Sequence, residues 1–145
     1  MCGIFGFQTD NFKIIKKLTK DFLLYSEERG KEASGICISN NNEYTVLKKP
    51  CSGFDLSKLK DFNFIFDKMI KNNNSIYSLI GQCRLATDGK SYIEEYNHPA
   101  IYDNICLVHN GIILNSPDIL QSQNLNKIQV DNNKTNHTQS DTLNF

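Results

Sequence analysis

The chain has 145 residues, of which 39% are hydrophobic and 22% charged, and its 16 basic residues balance its 16 acidic ones. This length suits one domain that buries a core without disulfides or metals. The zero net charge argues against nucleic-acid and membrane-surface partners, and no apolar run is long enough to span a bilayer.

The first part of the chain predicts a strand, a helix and a strand pair. Residues 2–7 are mostly apolar, as in a short buried strand. Apolar residues recur at helical spacing from Phe12 to Glu28, and Gly30 is expected to end that helix. Two strands, Gly35–Ser39 and Tyr44–Leu47, follow with three asparagines as their turn.

The second part of the chain predicts another helix and further strands. Ser57 is expected to cap a helix that runs to about residue 71, where three asparagines break the pattern. Ile76–Cys83 and Ile105–His109 are strand candidates, and Ile112–Leu114 continues the second one. The remaining predictions are a helix start at Ser116-Pro117, a mobile loop over 121–139 and a helix start at Ser140-Asp141.

The order of helices and strands indicates an α+β or layered α/β fold in one domain. The five cysteines include no CxxC pair, and residues 1–7 lack the basic start and cleavage site of a signal peptide, so we expect none. We therefore expect a reducing, cytoplasmic location. The scattered cysteines and histidines also predict no structural zinc site.

Cys2, directly behind Met1, is the first candidate for chemistry. Removal of Met1 would give Cys2 both a thiol and a free α-amine, and an α-amine with a pKa of about 7.7–8.0 is a suitable general base. Gly3 and Gly6 would let the backbone approach a ligand closely. The alternative, a small buried cysteine on a strand, is favoured by the tripeptide alone.

Five further segments follow Cys2 in a characteristic order. They are Arg29-Gly30-Lys31-Glu32-Ala33-Ser34-Gly35, the run from Gly81 to Gly89, Asn97-His98-Pro99, the run from Val108 to Ile113, and Ser140-Asp141-Thr142. The set resembles the class II glutamine amidotransferases, in particular the glutaminase domains of glucosamine-6-phosphate synthase and amidophosphoribosyltransferase. The resemblance implies the α+β, four-layer αββα sandwich of the N-terminal-nucleophile hydrolases. It also implies that residues 1–145 are a glutaminase domain that lacks its C-terminal part and any synthase domain.

The same resemblance assigns the catalytic groups. Cys2 would be the nucleophile that forms a thioester with L-glutamine. The Asn110 side-chain amide and the Gly111 backbone N–H would stabilise the oxyanion, and Arg29 would order the site. The residue types alone leave Asn110-Gly111 open as a hairpin turn between two strands.

The resemblance also assigns the substrate-binding groups. Arg84 and Thr87 would hold the glutamine carboxylate, and Asp141 its ammonium group. Ammonia would pass to a synthase partner that makes an amino sugar or nucleotide-type product, and no cofactor or metal is implied. For a lone arginine such as Arg84, a surface charge is the alternative.

The sequence departs from the family pattern at three positions. Gln82, Leu85 and Asp88 stand where the glucosamine synthase pattern has His, Trp and His. These departures leave open a catalytically silent glutamine-binding or assembly module. A third possibility, an N-terminal-nucleophile amidase for another amide, is disfavoured by Arg84 and Asp141, which match an amino-acid zwitterion.

Overall fold

The computed structural model describes residues 1–41, 43–69, 76–86, 90–103, 105–115 and 119. Short 3-10 helices lie at Glu27–Arg29 and Glu94–Tyr96. The longer elements are, in chain order, β1 (Gly3–Thr9), α1 (Phe12–Ser26), β2 (Ala33–Ser39), β3 (Tyr44–Lys49), α2 (Gly53–Lys58), α3 (Lys60–Met69), β4 (Tyr77–Arg84), β5 (Ala100–Tyr102) and β6 (Ile105–Leu107).

Four strands form the main sheet, in the order β1-β4-β2-β3. Every neighbouring pair is antiparallel, and β4 lies between the N-terminal strand and β2. The strands β5 and β6 form a separate antiparallel pair. This mixture of helices and antiparallel sheets agrees with the α+β class predicted from the sequence.

The helices cover one face of the main sheet and enclose the core. The rings of Phe5 and Phe7 on β1 both stack on Phe22 of α1. A fully buried aliphatic or aromatic side chain stabilises the fold by about 1.5–3 kcal/mol. The buried core cluster contains Ile15, Leu23, Ile36, Ile38, Leu47, Leu56, Phe62, Ile65, Phe66, Met69, Tyr77, Leu79 and Cys83.

The β5–β6 pair packs on the opposite face of the main sheet, which we call the hairpin face. Residues paired directly across antiparallel strands point to the same side, so Gly35 and Gln82 share this face. A Cβ at Gly35 would overlap the carbonyl oxygen of His98, just before β5. The Lys48 amino group, opposite Gly35 on β3, donates to the carbonyls of Asn97 at 2.9 Å and Pro99 at 3.3 Å.

The predicted single helix from Ser57 is wrong, because two helices occupy this region. The first is capped by Ser52, whose hydroxyl accepts a hydrogen bond from the Asp55 N–H at 3.1 Å. Ser57 lies inside that helix, and its hydroxyl donates to the Phe54 carbonyl at 2.7 Å. A serine in a helix commonly either caps the N-terminus or donates to a carbonyl of the preceding turn. The sequence pattern does not distinguish these two roles.

The predicted strands and their first turn are largely confirmed, with differences near the C-terminal end. The β2–β3 turn closes through the Asn40 N–H and the Glu43 carbonyl at 2.9 Å. The strand β6 ends at Leu107 instead of residue 109, and Ile112–Leu114 forms no strand. The short β5 was not predicted, since three residues give no usable alternation. The predictions for 72–74, 116–117, 121–139 and 140–141 lie outside the described residues.

Among the residues that the structure describes, no helix is long and apolar enough to cross a membrane.

Candidate functional site

Cys2 directly precedes β1, where the start of β1 lies beside the end of the antiparallel strand β4. The pairing of Gly3 with Cys83 places Cys2, one step further, beside Arg84. The partly exposed Cys2 thiol donates to the Leu85 carbonyl, with a sulfur–oxygen distance of 3.6 Å. The candidate nucleophile is thus held at the edge of the core and not inside it.

Asn110 binds the backbone of Cys2 on both sides. Its side-chain oxygen accepts a hydrogen bond from the Cys2 N–H at 3.2 Å, and its side-chain nitrogen donates to the Cys2 carbonyl at 3.0 Å. The two residues are 108 positions apart in the chain. The hairpin-turn alternative for Asn110-Gly111 is wrong, since no strand follows in the described residues 111–115.

The segment that carries Asn110 is tied to the main sheet by Gln82. The Gln82 side-chain nitrogen donates to the His109 carbonyl at 2.6 Å. Gln82 is 1% exposed, and its side-chain oxygen has no hydrogen-bond partner among the described residues. The unpaired buried oxygen costs free energy, whereas the Nε2 bond to the His109 carbonyl satisfies the other end of the amide and links the two segments.

The segment around Arg29 and Gly30 crosses the end of β4. A Cβ at Gly30 would overlap the backbone of Arg84 and Leu85, so glycine is required for this approach. Glu32 fixes the crossing, because its N–H donates to the Arg84 carbonyl and its carboxylate accepts from the Ala86 N–H, at 3.1 and 3.0 Å. The Arg29 guanidinium contacts the Met1 sulfur at 3.7 Å.

Arg84 lies on the hairpin face and is 5% exposed. Its Nη1 donates to the Asn97 side-chain oxygen at 2.7 Å. The Asn97 side-chain nitrogen in turn donates to the Ser91 carbonyl at 2.5 Å. The guanidinium is therefore oriented by a buried asparagine, which rules out the surface-charge alternative for Arg84.

The structure brings most of the predicted site residues to one end of the main sheet. Cys2 and Asn110 are in direct contact, Arg29 contacts Met1, and Arg84 is beside Cys2 in the sheet register. Gly111 follows Asn110, and a Cβ there would lie 2.8 Å from the His109 ring. The remaining predicted site residues, Thr87 and Asp141, lie outside the described residues, as does Asp88, one of the departures from the family pattern.

Sequence reasoning missed the supporting roles of Asn97 and Glu32. Asn97 stands in one of the quoted family segments, but no spacing in the sequence links it to Arg84. Glu32 also stands in a quoted family segment, but by its sequence context it resembles an ordinary exposed acid after a helix. Both roles depend on contacts between distant segments, which the sequence pattern does not encode.

His98 is a buried imidazole beside this site, in hydrogen-bond contact with the Leu107 carbonyl at 3.4 Å. Burial lowers the pKa of His98 from 6.5 to about 4. The bond to Leu107 acts in the opposite direction, whereas the positive charges of Arg84 and Lys48 lower the pKa further. The ring is therefore neutral near pH 7, and its Nδ1 donates to that carbonyl.

We expect acid to destabilise the fold through His98. Between about pH 6.5 and pH 4 the unfolded chain binds a proton at His98 that the folded chain does not. The free energy of unfolding is therefore unaffected by His98 above pH 6.5. It decreases as the pH falls from 6.5 to 4, by about 3 kcal/mol in total. Urea unfolding of the wild type and of His98→Gln across this range measures it. Parallel pH profiles for the two proteins would contradict the prediction.

The described residues contain no group of three or more His, Cys, Asp or Glu side chains placed to hold a metal ion.

No protein-family model matches the chain. Among curated proteins it is 34% identical over 119 residues to the glutamine–fructose-6-phosphate aminotransferase (isomerizing) of Wigglesworthia glossinidia brevipalpis, covering 79% of this chain and 17% of that protein. The Bacillus subtilis (strain 168) protein of the same name is 31% identical, covering 83% of this chain and 18% of its own length. The amidophosphoribosyltransferase of Mycobacterium leprae is 27% identical, covering 81% and 20%. The chain thus spans about a fifth of the length of these relatives.

Proposed function

The chain is a homologue of the class II glutamine amidotransferases, and from this premise we propose that it hydrolyses L-glutamine to glutamate and ammonia. The observation that carries the proposal is the pair of hydrogen bonds between Asn110 and the backbone of Cys2. They join the proposed nucleophile to the proposed oxyanion-stabilising group. A small buried cysteine on a strand would not need this connection.

The proposed mechanism begins with removal of Met1, which is 72% exposed and open to an aminopeptidase. The freed α-amine of Cys2 accepts the thiol proton, and the thiolate attacks the amide carbon of glutamine. The tetrahedral intermediate expels ammonia, which takes the proton back from the ammonium group, and leaves a glutamyl thioester. Water then attacks the thioester with the amine as base, which releases glutamate and restores Cys2.

The oxyanion of the tetrahedral intermediate is assigned to Asn110 and Gly111. One N–H of the Asn110 amide already donates to the Cys2 carbonyl, and an NH₂ group has a second N–H. Gln82 supports this role by fixing the His109 carbonyl, one residue before Asn110. The residue that replaces histidine in the family pattern is therefore in contact with this segment.

The substrate is assigned to groups around the end of β4. Arg84 supplies a planar, permanently charged group for the glutamine carboxylate, with Thr87 as a second donor. Asp141 is proposed to bind the ammonium group. Arg29 is proposed to order the site; its contact to the Met1 sulfur places it near the N-terminus but is lost when Met1 is removed. These assignments rest on the family resemblance at each position.

The wider context is also proposed from the relatives. We propose that residues 1–145 belong to a glutaminase domain with the four-layer αββα sandwich. The helical layer, the main sheet and the β5–β6 pair support three of those layers. Ammonia would pass to a synthase domain or partner that makes an amino sugar or a nucleotide-type product.

A second candidate is a catalytically silent glutamine-binding or assembly module. Two observations favour it: the Arg84 side chain is only 5% exposed and bonds to Asn97, and Leu85 is 41% exposed where the family pattern has a tryptophan. A buried guanidinium is less accessible to substrate, and an exposed leucine covers less of a thioester. This module would bind glutamine without releasing ammonia.

Treatment with a diazoketone analogue of glutamine, followed by intact-mass measurement and peptide mapping, separates the two candidates. For the glutaminase we expect a chain without Met1 that carries one adduct on Cys2. Excess L-glutamine should protect Cys2, and D-glutamine should not. A chain that binds L-glutamine but stays unlabelled would support the silent module. Labelling at Cys51, the other partly exposed cysteine of the N-terminal half, would contradict a specific site.

A further inference from the structure

Lys48, on β3, is connected to the segment that orients Arg84. It lies directly opposite Gly35 of β2, on the hairpin face, and its side chain is partly buried. Its amino group donates to the Asn97 carbonyl at 2.9 Å and to the Pro99 carbonyl at 3.3 Å. The last strand of the main sheet is thus joined directly to the segment before β5.

Asn97 extends this connection to Arg84. The Asn97 backbone carbonyl accepts from Lys48, and its side-chain oxygen accepts from Arg84 Nη1 at 2.7 Å. Its side-chain nitrogen donates to the Ser91 carbonyl, and the whole residue is 1% exposed. Because the amide is held at both ends, the orientation of the Arg84 guanidinium depends on where the backbone of Asn97 lies.

The position of this backbone is fixed by a close contact with the sheet. A Cβ at Gly35 would overlap the His98 carbonyl oxygen and lie 2.7 Å from the Lys48 Cβ. The Lys48 amino group bonds to the carbonyls on both sides of His98. Hydrogen bonds from a charged donor are stronger than those between neutral groups, so Lys48 holds the segment against the hairpin face.

The neighbouring Lys49 contacts the same part of the chain in a different way. Its amino group forms an ion pair with Glu94 at 2.7 Å, and the two side chains are 37% and 44% exposed. An exposed ion pair contributes little to stability. Lys49 therefore offers a matched control, because it carries the same side chain at the next position of the same strand.

We propose that Lys48 is a positioning residue for glutamine binding, which acts on Arg84 through Asn97. The inference rests on the proposed binding of the glutamine carboxylate by Arg84. A guanidinium binds a carboxylate best when its planar donors meet both oxygens, so a displaced Asn97 weakens this contact. The contact is made in the ground state as well as in the transition state, so its loss raises KM and leaves kcat nearly unchanged.

The first test measures steady-state ammonia release by the wild type, Lys48→Met and Lys49→Met. Methionine keeps an unbranched apolar side chain and removes the donors. We expect Lys48→Met to raise KM for L-glutamine about tenfold, the effect of weakening one hydrogen bond to a charged group, with kcat within about twofold of the wild type. Lys49→Met should have wild-type values. The proposal is wrong if KM is unchanged in Lys48→Met, if both variants lose affinity equally, or if kcat falls together with the rise in KM, as a general disturbance of the fold would produce.

A double variant tests the route through Asn97. Asn97→Ala removes the bond to Arg84 directly and should raise KM at least as much as Lys48→Met does. If Lys48 acts through Asn97, the combined variant should have the KM of Asn97→Ala alone. Two effects that multiply would indicate a separate route and contradict the proposal.

The inference and the proposed hydrolysis fail in different ways. If the wild type releases no ammonia but binds L-glutamine, calorimetry supplies a Kd in place of KM, and Lys48→Met should weaken it about tenfold while Lys49→Met should not. That result contradicts the hydrolysis and supports the inference. Glutamine binding that Lys48→Met leaves unchanged contradicts the inference alone. A wild type that neither binds nor hydrolyses glutamine would overturn both.

Discussion

Cys2→Ala is expected to reduce the rate of glutamine hydrolysis by about 10⁴-fold or more. Removal of a covalent nucleophile leaves only the catalysis that binding and oxyanion stabilisation supply. The variant should still bind glutamine, because Arg84 and the other proposed binding groups remain. Ammonia release measured with a coupled assay gives the rate, and calorimetry gives the affinity.

The matched control for this prediction is Cys51→Ala. Cys51 is also partly exposed, and its backbone carbonyl, which accepts a bond from Ser34, is kept by alanine. The control should retain turnover close to that of the wild type. Equal ammonia release by Cys2→Ala and Cys51→Ala would overturn the assignment of Cys2. Absence of release from the wild type, together with measurable glutamine binding, would instead support the silent module.

Much of the fold was predictable because its main elements are long and strongly patterned. The helix α1 and the strands β2 and β4 have clear periodicity, and the structure places each within a few residues of its predicted bounds. The prediction of a helix that begins at Ser57 was wrong because both Ser52 and Ser57 are suitable N-cap residues. Only the packing of the fold decides that Ser52 is the cap. The strand β5 was not predicted because its three residues show no alternation of apolar and polar side chains. It is a strand only through its pairing with β6.

The positions of the candidate site residues were predictable only in part. The motifs pointed to Cys2, Asn110 and Arg84, but nothing in their spacing gives the contact between residues 108 positions apart. Likewise, the burial of Arg84 against Asn97 follows from the packing of the β5–β6 pair and not from any local signal. Such contacts depend on the tertiary structure, and they leave no local pattern in a single sequence.

The departures from the family pattern acquire physical meaning in the fold. Gln82, which stands where the family pattern has histidine, is buried and donates a side-chain hydrogen bond to the His109 carbonyl, just before Asn110. Leu85 is exposed, but its carbonyl accepts the bond from the Cys2 thiol. The backbone at position 85 thus contacts the proposed nucleophile whatever the side chain. These contacts favour the glutaminase over the catalytically silent module.

Asn110→Ala is expected to lower kcat by about 10²–10³-fold, with a smaller change in KM. The lost amide donor acts on the oxyanion, which exists only at and near the transition state, so the affinity for glutamine changes little. Asn110→Asp is the sharper variant. It keeps the size and the oxygen that accepts from the Cys2 N–H, but it has no N–H to donate.

Steady-state ammonia release by the two Asn110 variants separates the donor role from the positioning role. If the amide donor is essential, Asn110→Asp should be as slow as Asn110→Ala. If the bond that Asn110 accepts from the Cys2 N–H is its main role, Asn110→Asp, which keeps that bond, should recover much of the rate, and the oxyanion assignment would be wrong. The control Asn115→Ala, an exposed asparagine five residues later, should keep the wild-type kcat. Because it removes the same side chain from the same segment, a loss there would indicate a general disturbance of the segment and not the loss of a donor.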